Sequence, residues 1–122
     1  VSASGLVTTL TAGTANITAT SETRSGSAVL TVNAVPIPVA TVTVSLAPTS
    51  VTVGATSQAT AVTLSGSGTV LTGRTITWTS ANPAVATVNI NSGLVTAVTA
   101  GTAIITATSE TKTGTAIVTV TP

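Results

Sequence analysis

Polar and apolar residues alternate along most of the chain. The run Thr41-Val42-Thr43-Val44-Ser45-Leu46 is the clearest case, and Thr75-Ile76-Thr77-Trp78-Thr79-Ser80 repeats it. A period of two puts apolar side chains on one face of an extended segment and hydroxyls on the other, as in a half-buried strand. Further strands are predicted at residues 51–53, 56–64, 85–88, 94–98, 102–108 and 113–120. Turn chemistry separates them: Pro48 with Thr49 and Ser50, Ser65-Gly66-Ser67-Gly68, Asn82-Pro83, Asn89 to Gly93, Ala100-Gly101, and residues 109–112. No stretch carries the helical period. Short strands with turn signals roughly every 8–12 residues predict an all-β, antiparallel sandwich.

Parity then assigns the faces. The core is expected to hold Val42, Val44, Leu46, Ile76, Trp78, Val95, Ala97, Ala103, Ile105, Ala107, Ala116, Val118 and Val120. Thr43, Thr77, Thr96, Ile104, Thr106 and Thr119 are expected to face outward. Trp78 is the one aromatic residue, and on a central strand a single large ring reads as the plug of a small core.

The chain also repeats itself. Residues 4–32 align without a gap on residues 92–120, an offset of 88, and roughly two-thirds of the positions are identical. Most of the remainder are Ser/Thr, Arg/Lys or Val/Ile/Leu exchanges. Pro36 and Pro38 between the copies predict a stiff, extended connector. The expected organisation is a tandem repeat. Residues 1–34 form the last three strands of an incomplete domain (6–10, 14–20 and 27–32), residues 35–38 a linker, and residues 39–122 a complete domain. The incomplete copy exposes Ile17, Ala19, Leu30 and Val32, and is expected to be covered either by upstream strands of a longer array, of which these residues are a window, or by strands of another chain that join subunits end to end.

Composition narrows the chemistry. Charged residues are 4% of the chain, with a net charge of +1, and there is no Cys, His or Asp. That inventory removes thiol and imidazole catalysis, disulfides, zinc cages and a carboxylate cage for calcium or magnesium. No cofactor and no metal are expected. Three cations form no nucleic-acid footprint. No window approaches 18 uninterrupted apolar residues, so no membrane-inserted helix is predicted. The first residues lack a basic region followed by an apolar run, so no secretory leader is expected in them.

Several residues together resemble the bacterial immunoglobulin-like domain of group 2. The run is Ile76-Thr77-Trp78-Thr79-Ser80-Ala81-Asn82-Pro83-Ala84-Val85-Ala86-Thr87-Val88. Ser92-Gly93-Leu94-Val95-Thr96-Ala97, Ala100-Gly101-Thr102-Ala103 and Ile105-Thr106-Ala107 follow it, and Val51-Thr52-Val53-Gly54 precedes it. The resemblance spans residues 39–122 and, as a C-terminal part, residues 1–32. It implies an immunoglobulin-like sandwich used in tandem, in bacterial surface proteins, adhesins and phage decorations. Relatives usually carry Asp after the short strand and a scatter of Lys and Glu; here Asn89 follows Val88.

The remaining candidates are few. Glu22 and Glu110 occupy equivalent turns, each two residues before a cation, and read as solvated turn residues with a weak ion pair. Asn16-Ile17-Thr18 is a sequon, which makes Asn16 a candidate for an N-linked glycan. Ser and Thr exceed roughly a third of the chain, which also offers O-linked acceptors. A carbohydrate-binding module would want exposed aromatics, which are missing. A surface nearly without charge is poorly defended against association. The expected function is a non-enzymatic structural module of an extracellular bacterial filament, sheath or surface array. It would assemble by domain packing or strand complementation with identical or neighbouring Ig-like subunits, with surface glycans as a further candidate partner. A spacer in an adhesin stalk and a phage surface or tail decoration are the alternatives.

Overall fold

The computed structural model describes all 122 residues, Val1–Pro122, and the chain divides into two compact units, Val1–Pro36 and Ile37–Pro122. The structure is made of strands and has no helix long and apolar enough to cross a membrane.

The first unit is one hairpin. Strand β1 (Gly13–Ser21) pairs antiparallel with β2 (Arg24–Val32), from Gly13 opposite Val32 to Ser21 opposite Arg24. Residues 6–10, expected as a third strand, form none. A strand needs ladder partners, and this unit supplies none beyond its own hairpin.

The second unit is a sandwich. Its strands are β3 (Thr41–Ala47), β4 (Ser50–Thr52), β5 (Thr56–Leu64), β6 (Val70–Leu71), β7 (Thr77–Ser80), β8 (Ala86–Val88), β9 (Leu94–Ala97), β10 (Gly101–Ser109) and β11 (Lys112–Thr121). One sheet runs β4-β11-β10-β7; the other runs β3-β5-β9-β8, with β6 added beside β5. All ladders are antiparallel except β11–β4, where Val120 lies parallel to Val51. The break at Pro48 hands the chain from one sheet to the other, so β4 joins β11 rather than continuing beside β5.

Between the sheets lie Val42, Leu46, Trp78, Val95, Ala97, Ala103, Ile105, Ala107, Val118 and Val120, together with Val39, Val51, Ala59, Val85 and Ala86. Ile105, Val95 and Val118 are 0% exposed. Three residues expected in the core, Val44, Ile76 and Ala116, are half-buried at its margin. Ile76 lies just ahead of β7, on the wall of a surface cleft. Val44 and Ala116 sit on the flank where β3 approaches β11. Thr43, Thr77, Thr96, Ile104 and Thr119 face solvent, while Thr106 is half-covered between its ladder neighbours Thr79 and Thr115.

Candidate functional site

Charge is so scarce that the use of each charged side chain is informative. The β10–β11 turn holds Glu110 at a φ of 55°, in the left-handed region. Its Oε2 accepts the Val39 N–H at 2.9 Å. Arg74, between β6 and β7, donates from Nη2 to the Ile37 carbonyl oxygen at 2.7 Å. Two of the five charged residues therefore grip one short stretch of backbone, residues 37–39. A weak ion pair with Lys112 was the expectation for Glu110. The carboxylate instead takes an amide 71 residues away, which no local pattern announces.

Trp78 is 5% exposed, so its ring is closed to ligand stacking. It packs on Gly93, where an added Cβ would lie 2.8 Å from Trp78 Cε2 and 2.8 Å from the Ala59 carbonyl oxygen. Gly93 also has a φ of 71°, so backbone conformation and space both select glycine there. The preceding turn is built by Asn89, whose Oδ1 accepts the N–H groups of Asn91 and Ser92 at 3.0 Å each. A carboxamide oxygen thus serves as the turn's acceptor without adding charge.

The outer face of the β4-β11-β10-β7 sheet is a register of hydroxyls. Thr108 pairs with Thr77 on one side and Thr113 on the other, and Thr106 pairs with Thr79 and Thr115. Thr119 pairs with Thr102 and Ser50. Between these rows Ile104 and Ile117 lie directly opposite each other, 44% and 60% exposed. No charged side chain interrupts these rows. Such a surface can meet another without desolvating an ion.

No three His, Cys, Asp or Glu side chains come together to hold a metal. Asn16 lies exposed on β1, opposite Val29 and on the other side of the strand from Ile17; its equivalent on β10 is Ile104. Among the residues expected at the core, Ile105, Val95, Val118 and Trp78 meet in the second unit, with Ile76 at its margin.

The sequence profile of the bacterial Ig-like domain (group 2) family matches residues 38–120. Among solved structures, the chain is similar to domains 4 and 5 of the S-layer protein SbsC, at 24% identity and a TM-score of 0.57. That match covers 95% of this chain and 69% of the other. It is also similar to SbsC domains 1–6, at 25% identity and a TM-score of 0.54, over 79% of this chain and 16% of that one. A longer SbsC fragment gives 20% identity and a TM-score of 0.56, over 98% of this chain and 23% of the fragment. The chain thus spans a small part of the longer S-layer structures that it resembles. No curated protein matches it. With the profile extending over most of the chain and the sandwich it describes present in the structure, the chain belongs to the bacterial Ig-like domain (group 2) family.

Proposed function

We propose that the chain is a non-enzymatic structural module of an extracellular bacterial surface assembly built from tandem Ig-like domains. The observation that carries this reading is the uncharged outer sheet face, with its Thr rows and the exposed Ile104–Ile117 pair. Lateral packing through such a face costs no ion desolvation, and a net charge near zero favours association. The likeness to S-layer protein domains supports the same reading. Residues 37–39, held by Arg74 and Glu110, give the sandwich a fixed point of entry, which suits a module strung in series. The first unit is read as the last strands of a neighbouring domain of the same kind.

Electron microscopy of the concentrated protein tests this. Ordered sheets or fibres that disperse on Ile117→Lys are expected. Isolated particles that stay dispersed at all concentrations would favour a passive spacer.

A further inference from the structure

Strand β5 is paired without a break along one edge and interrupted along the other. Its partner β3 runs beside it from Gln58 to Leu64. On the opposite edge β9 pairs with Thr56, Ser57 and Gln58, and β6 with Thr63 and Leu64. Neither ladder reaches Thr60, Ala61 or Val62. The main-chain groups of an antiparallel strand face its two neighbours in alternation. On the interrupted edge, the Ala59 N–H donates to the Gly93 carbonyl oxygen and the Ser65 N–H to the Thr69 carbonyl oxygen. Ala61 shares their parity, so its N–H and C=O face the gap between β9 and β6.

A cleft of about 280 Å³ lies at this gap. Ala61, half-buried, and Val62, exposed on the other side of the strand, both line it, so it opens on the edge of the sheet. Leu71 and Ile76 give it apolar walls, Thr72 a hydroxyl and Arg74 a charge. Its volume is at the lower end for ligand pockets and suits a short segment rather than a large molecule. Arg74 donates from Nη2 to the Ile37 carbonyl oxygen, while its Nε is buried with no acceptor. A buried guanidinium N–H without an acceptor is unfavourable, and its charge favours an anionic one. The second unit's one carboxylate side chain, Glu110, already takes the Val39 N–H, and no carboxylate lines the cleft.

We propose that this cleft binds a short acidic peptide segment in extended form. The segment adds main-chain hydrogen bonds at Ala61 and sets an Asp or Glu carboxylate on the Arg74 guanidinium, with a neighbouring side chain against Leu71 and Ile76. The free donor and acceptor at Ala61 select a peptide over a simple anion. A sugar acid would find no aromatic platform, since the one aromatic ring, Trp78, is buried. The cleft lies on the edge of the β3-β5-β9-β8 sheet, away from the Thr rows of the other sheet, so the inference does not depend on lateral packing through those rows.

The test titrates the peptide acetyl-Val-Thr-Glu-amide into the isotope-labelled 122-residue chain and follows it by NMR. Saturable shifts are expected at the Ala61 and Val62 amides and at the Arg74 Nε–H, with residues 13–32 unmoved. Replacing the Glu of the probe by Gln should weaken binding at least about fivefold, and added salt should narrow that difference. Methylating the backbone nitrogens of the probe keeps its charge and should also weaken binding at least about fivefold, because the hydrogen bonds to the β5 edge are lost. Arg74→Gln should abolish the preference for the Glu probe. Both probe changes leave the protein untouched, so they decide the matter even if that variant does not fold. No shift in the cleft up to about 10 mM probe would overturn the proposal, as would equal binding of the Glu and Gln probes. Sodium acetate that reproduces the shifts, or a methylated probe that binds undiminished, would reduce the cleft to a simple anion site and overturn the peptide reading. Tighter binding of glucuronate than of the peptide would overturn it in favour of a sugar acid.

Discussion

The β1–β2 and β10–β11 hairpins pair in the same register, Gly13 opposite Val32 and Gly101 opposite Val120. They share the left-handed glutamate at the turn and most of their sequence. Ile105 and Val118 are nevertheless 0% exposed, while their equivalents Ile17 and Leu30 remain half-exposed. Residues 94–97 are a strand between β5 and β8, whereas the equivalent residues 6–9 form none. Local sequence is thus enough for a hairpin: alternation, β-branched residues and a two-residue turn fix which residues face each other. It is not enough for a core, which requires a second sheet. Burial is a property of the neighbours, and the same peptide has two fates according to whether they are present.

The largest effects follow from the neighbours that only the second unit has. Trp78→Ala should destabilise residues 39–122 by about 3–5 kcal/mol, a large share of a typical domain's stability. Denaturant unfolding of the second unit measures it; a loss under about 1 kcal/mol would remove Trp78 from the core. A paired substitution sharpens the contrast. Ile105→Ala should cost about 2–5 kcal/mol, whereas Ile17→Ala, at the same repeat position, should cost less than about 1 kcal/mol. Equal losses would mean that the first hairpin has a core of its own.

The glycines invert the sign. Gly114→Ala drives a Cβ into the Val42 backbone and should cost about 1–3 kcal/mol by overpacking. Gly26→Ala meets empty space and removes the glycine penalty, so it should steady the hairpin by about 0.5–1 kcal/mol. Chemical-shift deviations along β1 and β2, followed with temperature, would register that gain. A loss on Gly26→Ala in the 122-residue chain would place something against that strand already.

What the sequence revealed and what it hid divide along the same line. A period of two reports faces, so the inward set from Val42 to Val120 and the outward threonines could be read directly. It does not report neighbours. The parallel β4–β11 ladder joins residues far apart in sequence, and no local pattern announces it. The strand expected at residues 6–10 failed because β9's existence depends on β5 and β8. Ile76 has core parity but lies at the sandwich margin, where periodicity carries no information about depth. At the candidate surface, the lack of charge was visible in composition, while the alignment of Thr77, Thr108 and Thr113 into one row needed the register. The grip on residues 37–39 was out of reach, since Glu110 and Arg74 look like ordinary surface charges until their distant backbone partners are known.

That grip supplies the smallest contrast between the two hairpins. Glu110→Gln keeps an oxygen acceptor for the Val39 N–H but removes the charge that strengthens the bond. Glu110 is solvent-exposed, so screening limits the loss of global stability to about 0.5 kcal/mol. The local effect should be clearer: exchange of the Val39 amide should quicken about two- to threefold, while amides within β10 keep their rates. Glu22→Gln alters the equivalent turn, whose carboxylate makes no such bond to the chain, and should leave every amide of residues 39–122 unchanged. Raising the salt concentration should weaken the wild-type Val39 protection toward that of the Gln variant, because the bond's advantage is partly Coulombic. If Glu110→Gln leaves Val39 exchange unaltered at low salt, the carboxylate does not hold the entrance, and the two glutamates are equivalent after all.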